Sequence, residues 1–229
     1  KGANQAVAAA RAGGAVTFVA RVGDDMFGQQ AVKGFVQDGI NVGHVLRDSQ
    51  AASGVALIFV AKDGENSIGV ASGANARLSP EDVRAAASAI ADADVLVMQL
   101  ETPLETVQAA AELAAAEGVR VILNPAPAQP LSDELLRHIS VLTPNETEAE
   151  LLTGIPVDSE EAAAEAAKAL RDKGIETVIV TLGARGVFVS AADFAGAIAG
   201  FKVKAVDTTA AGDVFNGALA VALAESRPL

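Results

Sequence analysis

The 229-residue sequence predicts an α/β fold: a doubly wound, mostly parallel sheet with helices on both faces, plus a small β lid. Three observations lead there. Short apolar runs of the buried parallel-strand kind, such as Val95-Leu96-Val97-Met98-Gln99-Leu100 and Thr177-Val178-Ile179-Val180-Thr181-Leu182, alternate with helix-like segments. Residues 43–75 interrupt that alternation with a hairpin pattern. The composition is 51% hydrophobic and 20% charged, so the chain can bury a substantial core.

Each element has its own signal. Gly2 to Ala12 is an Ala-rich helical segment, and Gly13-Gly14 separates it from the strand Val16-Thr17-Phe18-Val19-Ala20. Gly23-Asp24-Asp25 opens a helix whose apolar face holds Phe27, Ala31, Phe35 and Val36, and Gly39 ends it. Val55 to Val60 reads as a strand, Asp63-Gly64 as a hairpin turn, and Ser67-Ile68-Gly69-Val70 as the return. The division expected is a core of residues 1–42 and 76–229, with 43–75 as a β excursion over it. A plain edge hairpin would give the same pattern.

Ser79-Pro80-Glu81-Asp82 starts a helix with an N-cap Ser, a first-turn Pro and an acid three positions on. Val83, Ala86, Ala87 and Ile90 form its apolar stripe. A helix to Ala116, the strand Val119–Leu123 and the Asn124-Pro125-Ala126-Pro127 loop follow. Next come a strand at 139–142, a short helix from Asn145, and a longer one with Ala163, Ala166, Ala167 and Leu170 in phase. The strand Thr177–Leu182 closes on Gly183-Ala184-Arg185-Gly186. Phe201-Lys202-Val203-Lys204-Ala205-Val206 alternates as a strand does, and Val214 to Leu223 reads as a helix with almost no polar face.

Composition excludes several function classes. Cys is absent, so no disulfide or thiolate metal site exists. His44 and His138 are the sole histidines, which disfavours a His-based metal centre or a Ser-His-Asp triad. A net charge of −12 argues against nucleic acid and anionic membrane as partners. No apolar run approaches the ~20 residues that span a bilayer, and no leader pattern opens the chain, so a cytoplasmic protein is expected. The chain opens on Lys1 and stops after Pro228-Leu229, so further segments are expected at both ends.

The chemistry gathers around Asp207-Thr208-Thr209-Ala210-Ala211-Gly212-Asp213. Small residues lead to a helix start, where backbone N–H groups lack partners and the macrodipole is positive. An anion can approach those donors, and Asp213 beside it could take a proton from an attacking hydroxyl. The same Gly-Asp step also serves as an ordinary N-cap. In parallel sheets ligands bind at the carboxyl ends of strands. Gln99 and Glu101, Asn124, Asn145 and Glu148, and Thr181 and Gly183 follow successive strands there.

Asn145 and Glu148, three apart on a first turn, could hold a hydrated Mg²⁺ or simply form a capping box. Thr181 to Gly186 could bring backbone close to a nucleotide, or be a turn. There is no P-loop and no Gly-x-Gly-x-x-Gly. Nor does the presumed mouth gather the Arg and Lys that a phosphorylated substrate would want, so a neutral polyhydroxy compound fits better.

The sequence resembles the PfkB-type carbohydrate kinases over its whole length. The resemblance is carried by Lys1-Gly2-Ala3-Asn4-Gln5-Ala6, Gly73-Ala74-Asn75-Ala76, Asn124 to Pro127, Thr143 to Glu148, Thr181-Leu182-Gly183, and Asp207 to Asp213, the family's C-terminal signature. It implies transfer of the ATP γ-phosphoryl to the 5-hydroxyl of D-ribose. Asp213 would be the base, and the amides of Ala210, Ala211 and Gly212 the anion hole. Lys1, Gly2, Asn4 and Glu101 would hold the sugar with Asp213. Asn145 and Glu148 would serve Mg²⁺ and phosphate, and Thr181, Leu182, Gly183, Ala184, Arg185, Gly186 and Gly212 the nucleotide. Asp207 and the Thr209 carbonyl would form half of a monovalent-cation site, usually K⁺. The flap at 43–75 would act as a lid and build a homodimer contact.

The family's opening Asn-x-Asp strand, its Gly-Gly, and its C-terminal helices are absent from the sequence, so the sheet is expected to lack a strand. Rival readings are a kinase for another neutral sugar or a nucleoside, and a non-catalytic domain binding a sugar or nucleotide. Aromatics at 3%, all of them Phe, lean toward a bare sugar.

Overall fold

A computed structural model of the chain describes residues 1–60, 66–205 and 207–227. It begins with helix α1 (Gly2–Arg11), strand β1 (Thr17–Gly23), helix α2 (Met26–Gln37) and strand β2 (Asn41–Asp48). Strands β3 (Val55–Val60) and β4 (Asn66–Ala71) form the antiparallel hairpin that the sequence predicts, with the Asp63-Gly64 turn outside the described residues. A 3₁₀ turn (Gly73–Arg77) leads to helices α3 (Pro80–Ala85) and α4 (Ala87–Ala91).

From there strand and helix alternate: β5 (Val95–Met98), α5 (Leu104–Ala116), β6 (Arg120–Leu123), α6 (Asp133–Leu136), β7 (Val141–Leu142), α7 (Glu146–Thr153), α8 (Glu160–Arg171) and β8 (Thr177–Thr181). Strands β9 (Val187–Ser190) and β10 (Ala195–Ile198) and helix α9 (Ala211–Ala224) follow. The main sheet runs β10-β9-β8-β7-β6-β5, parallel from β5 to β8 and antiparallel at β9 and β10.

Alternation along the strands explains why both faces are covered. Val121 and Leu123 of β6, with Val178 and Val180 of β8, face one core shared with α5, α6, α7 and α8. Their neighbours Ile122 and Ile179 face the other way, onto Ala220 and Leu223 of α9. Helix α8 presents Ala163, Ala166, Ala167 and Leu170 as its fully buried stripe.

Four sequence expectations need correction. The alternation over residues 201–206 does not make a strand: 201–205 are irregular, Phe201 and Val203 are 97% and 79% exposed, and Val206 is outside the described residues. On α2 only Phe35 of the four apolar positions is buried, while Phe27 and Val36 point to solvent. The helix from Ser79 breaks at Ala86 into two short ones. Finally, residues 41–48 form a strand that pairs in parallel with β1, so these two make a separate small sheet.

That small sheet is tied down by charge. Asp48 accepts from Arg21 Nη1 at 3.0 Å, Arg77 Nε at 2.7 Å, and the amides of Gln50 and Ala51 at 2.8 and 3.0 Å. The Gln50 amide first, and then Arg77, hold its carboxyl well below the usual carboxylate range. Arg21 reaches on to Asp82 of α3 at 2.8 Å, so β1, β2, the 3₁₀ turn and α3 share one ionic joint.

Helices α1 and α9 lie backbone against backbone at Gly217. A Cβ there would sit 2.6 Å from the Gln5 carbonyl and 2.7 Å from Ala8 Cβ. Gly217→Ala is therefore expected to destabilise the fold by about 1–3 kcal/mol, the usual cost of overpacking. Gly34→Ala, on α2 with nothing within 4 Å, should instead stabilise it by about 0.4–1 kcal/mol. Urea unfolding of both variants checks the pair, and equal effects would contradict the close helix contact.

Candidate active site

Because β5, β6, β7 and β8 run parallel, their carboxyl ends open on one edge of the sheet. A cleft there is lined by Lys1, Asn124, Thr143, Asn145, Glu148, Thr181 and Gly183, and by Thr208 and Ala210 to Asp213. The start of α9 forms one wall. Ala210 is its N-cap, in the left-handed region at φ 62°, which for an alanine costs about 1–2 kcal/mol. The Ala211 amide donates to the Thr208 carbonyl at 3.1 Å. The amides of Ala210, Gly212 and Asp213 have no acceptor among the described residues, so of the 210–212 set only that of Ala211 is occupied, and the Asp213 amide adds a further open donor.

Asp213 is not a cap. It is the third residue of α9, only 5% exposed, and its carboxylate turns to α1. Oδ2 accepts from Asn4 Nδ2 at 2.9 Å and Oδ1 from Gln5 Nε2 at 3.0 Å. A buried carboxylate needs such donors, and α1 supplies both.

Behind the cleft runs a buried chain of polar groups. Asn124 Nδ2 donates to the Thr143 carbonyl at 3.1 Å, and Thr143 Oγ1 donates to Asn216 Oδ1 at 2.7 Å. Asn216 Nδ2 in turn donates to the Gly212 carbonyl at 2.8 Å. Sequence reasoning missed the roles of Thr143 and Asn216; it placed Gln99 at a strand end and Gln5 in the opening polar stretch, but not the bond that joins them. Asn216 carried a readable signal, being the only polar residue between Val214 and Leu223 in an otherwise apolar helix.

Asn145 and Glu148 form the capping box in full: Asn145 Oδ1 accepts from the Glu148 amide at 2.8 Å, and Glu148 Oε2 from the Asn145 amide at 2.9 Å. Glu148 Oε1 keeps no partner among the described residues, and Glu148 still borders the cleft. Burial pushes its carboxyl above the ordinary value. The Asn145 amide and Lys1 partly offset that, while the charge of Asp213 adds to it.

The remaining candidates fall around the rim. The Lys1 backbone nitrogen is 2.7 Å from Glu101 Oε2, and Gly2 packs against Gln99. Thr181 donates its amide to the Pro144 carbonyl at 2.8 Å, which joins the 145 and 181 segments. Leu182 is buried, whereas Ala184 faces solvent and Arg185 pairs with Glu146 at 3.0 Å. Gly186 has φ 99°, and any Cβ there would overlap the Ile198 carbonyl. Asp207 Oδ1 accepts from the Thr209 amide at 2.8 Å. Among the described residues no three His, Asp or Glu side chains cluster as a protein-held metal centre would require, and no helix is long and apolar enough to cross a membrane.

Comparison with known proteins adds to this geometry. The model of the pfkB family carbohydrate kinases matches residues 1–229. The chain is 55% identical to a ribokinase of Haemophilus influenzae, covering 99% of this chain and 74% of that one. It is 43% identical to a deoxyribokinase of Salmonella typhi, covering 96% and 72%. Among solved structures it is similar to Arabidopsis thaliana ribokinase complexed with ribose and ATP, with a TM-score of 0.91, 31% identity, and coverage of 99% and 75%.

The raised Glu148 carboxyl gives a pH test. Well below the ordinary value Glu148 is protonated whether folded or unfolded, and costs nothing. As pH rises, the unfolded chain ionises first, so the fold loses stability up to the pH at which the buried group ionises too. Glu148→Gln keeps an acceptor for the Asn145 amide and removes that penalty. Its melting temperature should exceed the parent's at pH 7 and match it by pH 4; an advantage that persists at pH 4 would contradict the burial effect.

Proposed function

The chain belongs to the pfkB family of carbohydrate kinases, and on that premise we propose how its site phosphorylates ribose at the expense of ATP. The observation that carries the reading is the Asp213 carboxylate, gripped from behind by Asn4 and Gln5, one residue from an unpartnered amide at the start of an apolar helix. Sugar and nucleotide approach the cleft from opposite sides of that helix start. Lys1, Gly2, Asn4 and Glu101 hold ribose hydroxyls, and residues 181–186 lie along the nucleotide. Asp213 takes the proton of the 5-hydroxyl as its oxygen attacks the γ-phosphorus, the bond to ADP breaks, and ADP departs. Charge on the moving phosphoryl group faces the helix-start amides of Ala210, Gly212 and Asp213.

Mg²⁺ fits as a nucleotide-borne ion. Asn145 and Glu148 offer few free oxygens, chiefly Glu148 Oε1, so they would hold it through water and phosphate; when bound, it neutralises phosphate charge. Asp207 Oδ2 and the Thr209 carbonyl would supply two ligands of a K⁺ site. The hairpin within residues 43–75 would cover the sugar. Its Leu57, 63% exposed, would meet a second copy to make a homodimer. The reaction belongs to the cytoplasm.

Asp213→Asn should lower turnover by about 10²–10⁴-fold, the range of a positioned general base, with ribose and ATP binding nearly unchanged. A coupled ADP-release assay over ribose, 2-deoxyribose and other neutral sugars checks it, run in K⁺ and in choline and at varied Mg²⁺. Near-parental turnover in Asp213→Asn would remove the base, and indifference to K⁺ would remove the Asp207–Thr209 assignment. Leu57→Asp should shift the species seen in sedimentation from dimer to monomer; an unshifted dimer would place the contact elsewhere.

A further inference from the structure

The group that aims Asp213 lies on α1. Gln5 is 2% exposed and lies wholly inside the protein. Its Nε2 has two hydrogens, and both are committed: one to Asp213 Oδ1 at 3.0 Å, the other to Asn124 Oδ1 at 3.2 Å. Its Oε1 accepts from Gln99 Nε2 at 2.6 Å.

The direction of every bond in this chain is forced from one end. The Thr143 backbone carbonyl can only accept, so Asn124 must turn its NH₂ toward it, at 3.1 Å. That leaves Asn124 Oδ1 facing Gln5, which must answer with its own NH₂. Gln5 Oε1 is then left facing Gln99, which donates. Neither Asn124 nor Gln5 can flip without breaking at least two hydrogen bonds in the buried interior. The result is a donor fixed on one named oxygen of the carboxylate.

We propose that Gln5 is a positioning residue for phosphoryl transfer: it holds Asp213 Oδ1, so that Oδ2 is the oxygen that meets the sugar hydroxyl. Asn4 donates to Oδ2, and on the proposed reading shares that oxygen with the substrate. Gln5 touches only Oδ1 and never meets sugar or nucleotide. Gln99, half-buried at the end of β5, locks Gln5 in turn. The proposal rests on Asp213 being the base, and it adds a prediction that the base assignment alone does not make.

Gln5→Leu keeps the apolar volume and removes the donor. In the full-length enzyme, steady-state kinetics should show kcat lowered by about 10–100-fold, since a misaim of about 1 Å can cost that much. KM for ribose and for ATP should move by less than about threefold, because Gln5 contacts neither. Gln99→Leu frees the Gln5 amide to turn without touching Asp213, and should lower kcat by a smaller factor, about 3–10-fold, again with KM held. A merely structural Gln5 would instead lower the melting temperature and leave the kcat of the folded fraction intact. If Gln5→Leu is folded and keeps kcat within twofold of the parent, the positioning role is overturned. If it does not fold, an unchanged kcat in Gln99→Leu overturns it. Asp213→Asn is run alongside: full turnover there removes the base beneath the proposal, whereas an inactive Asp213→Asn with a fully active Gln5→Leu removes only the aiming role.

Discussion

The structure depends on two hydrogen bonds that span almost the whole sequence, from the amides of Asn4 and Gln5 to the Asp213 carboxylate. A buried carboxylate without donors would cost the fold several kcal/mol. Helix α9 can therefore present Asp213 inside the protein only while α1 stands against it. That requirement explains the small residues of both helices. The Ala-rich face of α1 and Gly217 of α9 bring the backbones close enough for short amide side chains to reach across. The sheet serves the same contact. It carries Asn124 and Thr143 at adjacent strand ends, where they pass the ordering of Gln5 on to Asn216 and the Gly212 carbonyl.

A chain with 17 basic and 29 acidic residues repels a polyanionic nucleotide overall. The cleft makes the difficulty local: Glu146, Glu148 and Asp213 line it against Lys1 alone, while Arg185 at its rim is spent on Glu146. Attraction for phosphate must come from sources that a count of charged side chains does not register. Backbone amides at the start of α9 and the dipole of that helix are one such source. On the proposed reading, a divalent ion brought by the nucleotide would be the other. This division also accounts for the left-handed Ala210, whose strained backbone turns the chain into α9 without a bulky cap in front of the open amides.

Much of the fold was legible because its signals are local. The stripe of α8, the capping boxes at Ser79–Asp82 and Asn145–Glu148, and the hairpin β3–β4 are all set by spacings of two to four residues. The site was legible in part for the same reason, since parallel strands deliver their trailing residues to one edge. What could not be read was anything decided by distant partners. Residues 201–206 alternate like a strand, but nothing pairs with 201–205, and Phe201 stays in solvent. Phe27 and Val36 have helical spacing, yet only Phe35 finds an aromatic neighbour, Phe18, with ring centroids 5.2 Å apart. Gln99 stands at a strand end and Gln5 in the opening polar stretch, but that the two side chains join behind Asp213 is decided only when α1, β5 and α9 meet.

The backbone contact of α1 with α9 has a consequence for biosynthesis. At ribosomal speeds of about 5–20 residues per second, the segment bearing Gly217 leaves the exit tunnel on the order of tens of seconds after α1 has emerged. Throughout that interval α1 stands without the helix that packs against it. A nascent chain thus displays the amides of Asn4 and Gln5 but not the Asp213 carboxylate they hold until α9 has been made.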